Sequence, residues 1–180
     1  QSQCPSSPAI REVTTVRKLI SALSVLVLSV LCLVPAVSGA EKLSQTHPDS
    51  GHMAVVDDGA GLLDSDELSA VMDEVLSVAE YCDAGFVTYS GFSSSSVLTK
   101  ARDWGLSTFS GQDFTVFMID MNTRRLGIFS GGWVYREINT GKANTITDNI
   151  YRYASRGDYA SCAEEAFREM AEVLRGNRIN

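Results

Sequence analysis

The alternation of helix-like and strand-like segments predicts an α/β protein, a three-layer α/β/α sandwich around a small mixed β-sheet. Three observations carry that expectation. Residues 64–82 repeat apolar side chains at helical spacing. Residues 114–119, FTVFMI, are apolar without alternation, the pattern of a strand covered on both faces. The segments after residue 54 run in the order helix, strand, helix, strand, strand, helix, helix.

The first helix opens at DSDELSAVMDEVLSVAEYC, where Asp64 can cap the first turn and Glu67 follows three residues on. Leu68, Val71, Met72, Val75, Leu76, Val78 and Ala79 then form its apolar stripe. AGFVTYSGF predicts a strand over 84–90, and SSSVLTKARDWGLSTFS a helix capped by a serine. DFTVFMIDM and RRLGIFSGG read as two strands joined by the tight turn MNTR. Residues 140–158 and 159–177 give two further helices.

The chain has 180 residues, 44% of them hydrophobic, enough for one sizeable core. Its 15 basic and 22 acidic residues give a net charge of −7, which excludes a basic face for a phosphate backbone, so nucleic acid is not an expected partner. Residues 19–40, LISALSVLVLSVLCLVPAVSGA, follow Arg17 and Lys18 and end in small residues. That is the pattern of a secretory signal cut before Glu41 or, uncleaved, of a membrane anchor. The expected organisation is therefore an upstream or non-native leader at 1–15, a signal peptide or anchor at 16–40, a polar linker at 41–53 holding both histidines, and a folded domain at 54–177. Residues 1–40 carry three bases and one acid, so the exported part has 12 basic and 21 acidic groups and a charge of −9. It keeps two cysteines, Cys82 and Cys162, which pair if their Cα atoms come within about 7 Å and otherwise stay free.

VVDDGAGLLDSDEL, with its aspartate, glycine turn, Leu-Leu pair and acidic helix start, resembles the opening of TPM domains. The hairpin VFMIDMNTRRLGIFSGG and the segment ANTITDNIYRYASRGDYASCAEEAF extend the likeness over residues 55–176, the last being closest to a TPM subgroup from Gram-positive bacteria. The resemblance implies a compact α/β/α fold, exported or membrane-attached, beside membrane assemblies. It also implies divalent-ion binding, as in several relatives, and an acid phosphatase activity, as in a plant branch.

Classical hydrolase chemistry finds little support. A buried strand ending in Asp120 suggests a phosphatase aspartate, but Asn122 stands where the acid/base aspartate belongs, and an amide cannot transfer the proton. Asp120 and Asn122 read as turn residues. Both histidines precede the folded domain, so Ser93 to Ser96 have no base there. Calcium fits better, since it takes carboxylate, amide and carbonyl oxygens in mixed sets. Asp57 and Asp58 are the first candidates; neighbours in an extended segment point apart, so one of the two faces any given site. The TPM resemblance favours Asp113, Asn144 and Asp148 as the remaining ligands. Asp64, Asp66 and Glu67 belong to the helix start, where the exposed N–H groups favour acids.

Trp133, Tyr135, Tyr151, Tyr153 and Tyr159 gather near Arg136, Arg152 and Arg156, a composition found at protein interfaces and equally in tyrosines packing helices on a sheet. Arg152 and Asp148 are spaced for a helical ion pair. The sequence thus predicts an exported or membrane-tethered accessory module that binds a membrane or envelope protein assembly and holds Ca²⁺, the alternative being a low-activity metal-dependent acid phosphatase.

Overall fold

The computed structural model describes residues 40–179. The leader 1–15 and all but the last residue of the signal or anchor 16–40 lie outside the described residues. Five strands form one sheet: β1 (Glu41–Thr46), β2 (Met53–Asp58), β3 (Asp83–Tyr89), β4 (Phe114–Asp120) and β5 (Arg125–Ser130). Their spatial order is that of the sequence, with β1 antiparallel to β2, β2, β3 and β4 parallel, and β5 antiparallel to β4. Five helices accompany them: α1 (Ser65–Ala79), α2 (Val97–Thr108), α3 (Val134–Glu137), α4 (Thr140–Ala154) and α5 (Tyr159–Leu174). Among the described residues no helix is long and apolar enough to cross a membrane.

The helix starts follow the sequence signals. Asp64 accepts N–H bonds from Asp66 and Glu67, and the Glu67 carboxylate accepts from the Asp64 N–H, a complete capping box. Ser96, Asn139 and Asp158 cap α2, α4 and α5.

Strand alternation sorts side chains between two cores. Ala54, Val56, Ala84, Phe86, Phe117, Ile119 and Ile128 face a core shared with α1, α4 and α5. There Phe86 stacks on Phe117 and both meet the edge of Phe167 from α5. Val55, Val87, Val116 and Met118 face α2 on the other side. Two glycines let α2 approach this closely: a Cβ on Gly85 would overlap the Trp104 ring, and one on Gly105 the Phe114 ring. All seven residues of β4 are buried, as its unbroken apolar run predicts.

One feature departs from the sequence reading. The segment read as a linker contains β1, and the extended residues before the first helix form β2, so the sheet has five strands where three were legible. β1 is almost wholly exposed and carries no alternation to detect. The rest of the segment is pinned, the Ser50 hydroxyl donating to the Ala79 carbonyl at 2.6 Å and the Met53 N–H to Asp83 at 2.7 Å. The hand of the parallel connections is unusual. The β2–α1–β3 and β3–α2–β4 connections step through the sheet in the same direction, yet α1 and α2 cover opposite faces. The two crossovers are therefore of opposite hand, and one breaks the right-handed rule for parallel strands.

Candidate functional site

Because α1 and α2 leave toward opposite faces, the loops at the carboxyl ends of β2 and β3 diverge. Open α/β sheets place ligands in such a gap. The acids predicted for a metal site begin here, and the pleat separates the first two as expected. Asp57 faces α2, where it accepts the Trp104 indole N–H at 3.1 Å and pairs with Lys42 at 3.3 Å; its side chain is 27% exposed. Asp58 faces the other way and is fully buried. It accepts the N–H groups of Leu62 at 3.0 Å and Leu63 at 2.9 Å together with the Thr88 hydroxyl, so both its oxygens are engaged in holding the turn before α1.

Asp120 closes the same end. It is a turn residue, as predicted, accepting from the N–H groups of Asn122 at 3.1 Å and Thr123 at 3.3 Å and the Thr123 hydroxyl at 2.8 Å. It is also half of a buried ion pair, with the Lys100 ammonium at 2.6 Å and that ammonium 4.6 Å from the centre of the Tyr89 ring. Burial alone would raise the Asp120 carboxyl, but the hydrogen bonds from Lys100 and Thr123 outweigh it and hold it below its ordinary value.

The other predicted ligands lie elsewhere. Asp113 precedes β4, at the opposite end of the parallel strands from Asp57 and Asp58, and accepts the Trp133 N–H at 2.9 Å. Asn144 and Asp148 sit on α4 beside β5. The five residues are thus distributed over three places rather than gathered around one ion. Among the described residues no group of three or more His, Cys, Asp or Glu side chains is placed to hold a metal. This donor set does not fit a calcium cage. Cys82 and Cys162 are free buried thiols, and burial pushes each up to about 12.

The sequence reading missed a groove of about 620 Å³ along β5. β5 is an edge strand, with α2 walling the groove on one face and α4 on the other. A second hollow of about 380 Å³ continues it and shares Arg124, Leu126 and Tyr151. The tyrosine cluster divides here: Tyr135 and Tyr151, 51% and 63% exposed, line the groove, whereas Tyr153 and Tyr159 pack against the core. Arg152 turns to the Tyr153 hydroxyl at 3.1 Å rather than to Asp148. The exposed tyrosines were the available signal, but only the strand order shows that they border a free sheet edge.

The family described as the TPM domain matches residues 56–173. No curated protein matches the chain by sequence. Among solved structures, the N-terminal domain of a P. gingivalis protein is similar at TM-score 0.57 and 20% identity, covering 67% of this chain and 82% of that one. The N-terminal domain of the cg2496 protein of Corynebacterium glutamicum gives 0.54 and 16%, over 65% and 77% of the two chains. The BA42 protein of the psychrophilic bacterium Bizionia argentinensis gives 0.53 and 12%, over 63% and 82%. At these identities the likeness shows a shared fold.

Proposed function

The chain belongs to the TPM domain family, and from that premise we infer that it is an extracytoplasmic accessory module, secreted or membrane-tethered, that binds an envelope protein assembly. The observation that carries this reading is the unequal use of polar groups. The charges at the carboxyl ends of the parallel strands are consumed inside the fold, while the groove on β5 keeps arginines and tyrosines exposed to a partner. The apolar run at 19–40 behind Arg17 and Lys18 supports export. The test is the state of the full chain in its host: cross-linking on intact cells should place it outside the cytoplasm in a complex with envelope proteins. Recovery as a free cytoplasmic monomer would sink the reading.

A low-activity metal-dependent acid phosphatase is the second reading, and Asp57 is what favours it. It is the one partly exposed acid among those at the carboxyl ends of β2 and β4, with Lys42 and Trp104 as its partners. Thermal unfolding in EDTA and then in Ca²⁺, Mg²⁺ or Mn²⁺ is its first test. A cation at 100 times its dissociation constant adds about 2.7 kcal/mol, which moves the midpoint by several degrees. A rise abolished by Asp57→Ala would establish a metal site there and call for phosphatase assays, and no movement with any ion would remove the second reading.

A further inference from the structure

The backbone of β5 has a phase that the β4–β5 register fixes. The Gly131 N–H bonds to the Phe114 carbonyl at 2.9 Å, so residues opposite one another exchange bonds at every second step: Gly131, Phe129, Gly127 and Arg125 face β4. Leu126, Ile128 and Ser130 therefore point their N–H and C=O groups away from the sheet, into the groove. Ile128 and Ser130 are only 5% and 7% exposed, so these backbone groups lie at the bottom of the groove, largely removed from water, where an unmade hydrogen bond is costly. The strand spans six residues, about 20 Å.

The walls suit an added strand. Gly127 and Phe129 alternate toward α2, where Val97 and Leu98 stand, and Leu126 and Ile128 toward the α4 side with Ala143 and Tyr151. At the entrance Arg124 and Arg125 make no ion pair among the described residues, and Arg102 on the α2 wall is held only by its exposed neighbour Asp103. Among the described residues lining the groove Asp148, on the α4 wall, is the one acid, so the groove is locally basic on a chain of net charge −7.

Resting on the binding-module reading above, we propose that β5 accepts an extended, acidic peptide segment of the partner as a sixth strand, its backbone pairing with Leu126, Ile128 and Ser130 and its carboxylates meeting Arg124 and Arg125. Main-chain bonds supply affinity in such strand addition, and alternate side chains supply selectivity.

The experiment is selection of a displayed random library of peptides about twelve residues long on the full chain, followed by fluorescence polarisation with a synthesised winner. The winners should alternate β-forming residues and carry Asp or Glu. N-methylation of alternate backbone amides should weaken binding about tenfold or more, as should the pair Arg124→Asn and Arg125→Glu. Leu126→Pro, which removes an outward N–H without touching the β4 ladder, should abolish binding. The charge variant is on the surface and folds even if the proline variant does not. Basic or helical winners, indifference to N-methylation, or no winner at all overturns the proposal. So does β5-mediated self-association that leaves no room for a peptide. If no peptide binds and the chain still assembles with envelope proteins, strand addition falls and the module reading stands; if assembly also fails, both fall.

Discussion

The carboxyl ends of the parallel strands and the free edge of β5 use similar residues to opposite ends. At the first, Asp58 answers three donors and Asp120 a buried ammonium and a turn, so the gap that the divergent crossovers open is filled with satisfied polar groups. At the second, two arginines and three backbone steps have no partner among the described residues, and tyrosines stand exposed beside them. At the location where α/β sheets usually hold ligands Asp58 and Asp120 serve stability, while an edge that proteins ordinarily blunt has been left open between two helices. Acidic residues near a strand end are thus a poor guide to function until their partners are known.

Substitutions should separate the two regions by the size of their effect on stability. Lys100→Met leaves the Asp120 charge buried without its ammonium and should cost about 3–5 kcal/mol in urea unfolding, whereas the double variant with Asp120→Asn should recover most of that loss. The same pair sets an acid limit. Because the Asp120 carboxyl is held below its ordinary value of 3.8, its contribution is complete above that pH and disappears as pH falls through the lowered value. The wild type should therefore lose stability below about pH 4 more steeply than the double variant. A parallel loss in the two proteins would move the acid sensitivity to other groups.

Asp58→Ala comes next, at about 2–4 kcal/mol, since it strands the Leu62 and Leu63 N–H groups and the Thr88 hydroxyl. An intact midpoint would show that the turn before α1 holds without its carboxylate. The smallest change belongs to the groove: Arg125→Glu should alter unfolding by no more than about 0.5 kcal/mol, because the side chain is exposed and unpaired. A large destabilisation there would make β5 part of the structural core rather than a surface kept for a partner.

How far the sequence shows these features depends on the reach of each interaction. The capping box at Asp64 and Glu67, the buried run of β4 and the helices of the C-terminal half are local patterns and were legible. The opposed directions of Asp57 and Asp58 follow from the pleat alone. β1 was hidden because an exposed edge strand has no apolar period, and the opposite-handed crossovers because handedness leaves no mark on composition. The pairing of Asp120 with Lys100 joins positions 20 residues apart in sequence, one on a strand and one on a helix. Asp113, Asn144 and Asp148 were grouped with Asp57 and Asp58 by family likeness, and the parallel register and the position of α4 disperse them. The β5 groove was illegible for the same reason: an edge is defined by which strands are missing beside it.

Amide hydrogen exchange read residue by residue tests the contrast most directly, because one experiment samples both regions. Exchange should be slow at Leu62 and Leu63, whose N–H groups are held by Asp58, and should alternate along β5, slower at Gly127 and Phe129 than at Leu126 and Ile128. Uniform protection from Arg125 to Ser130, or fast exchange at Leu62 and Leu63, would contradict it.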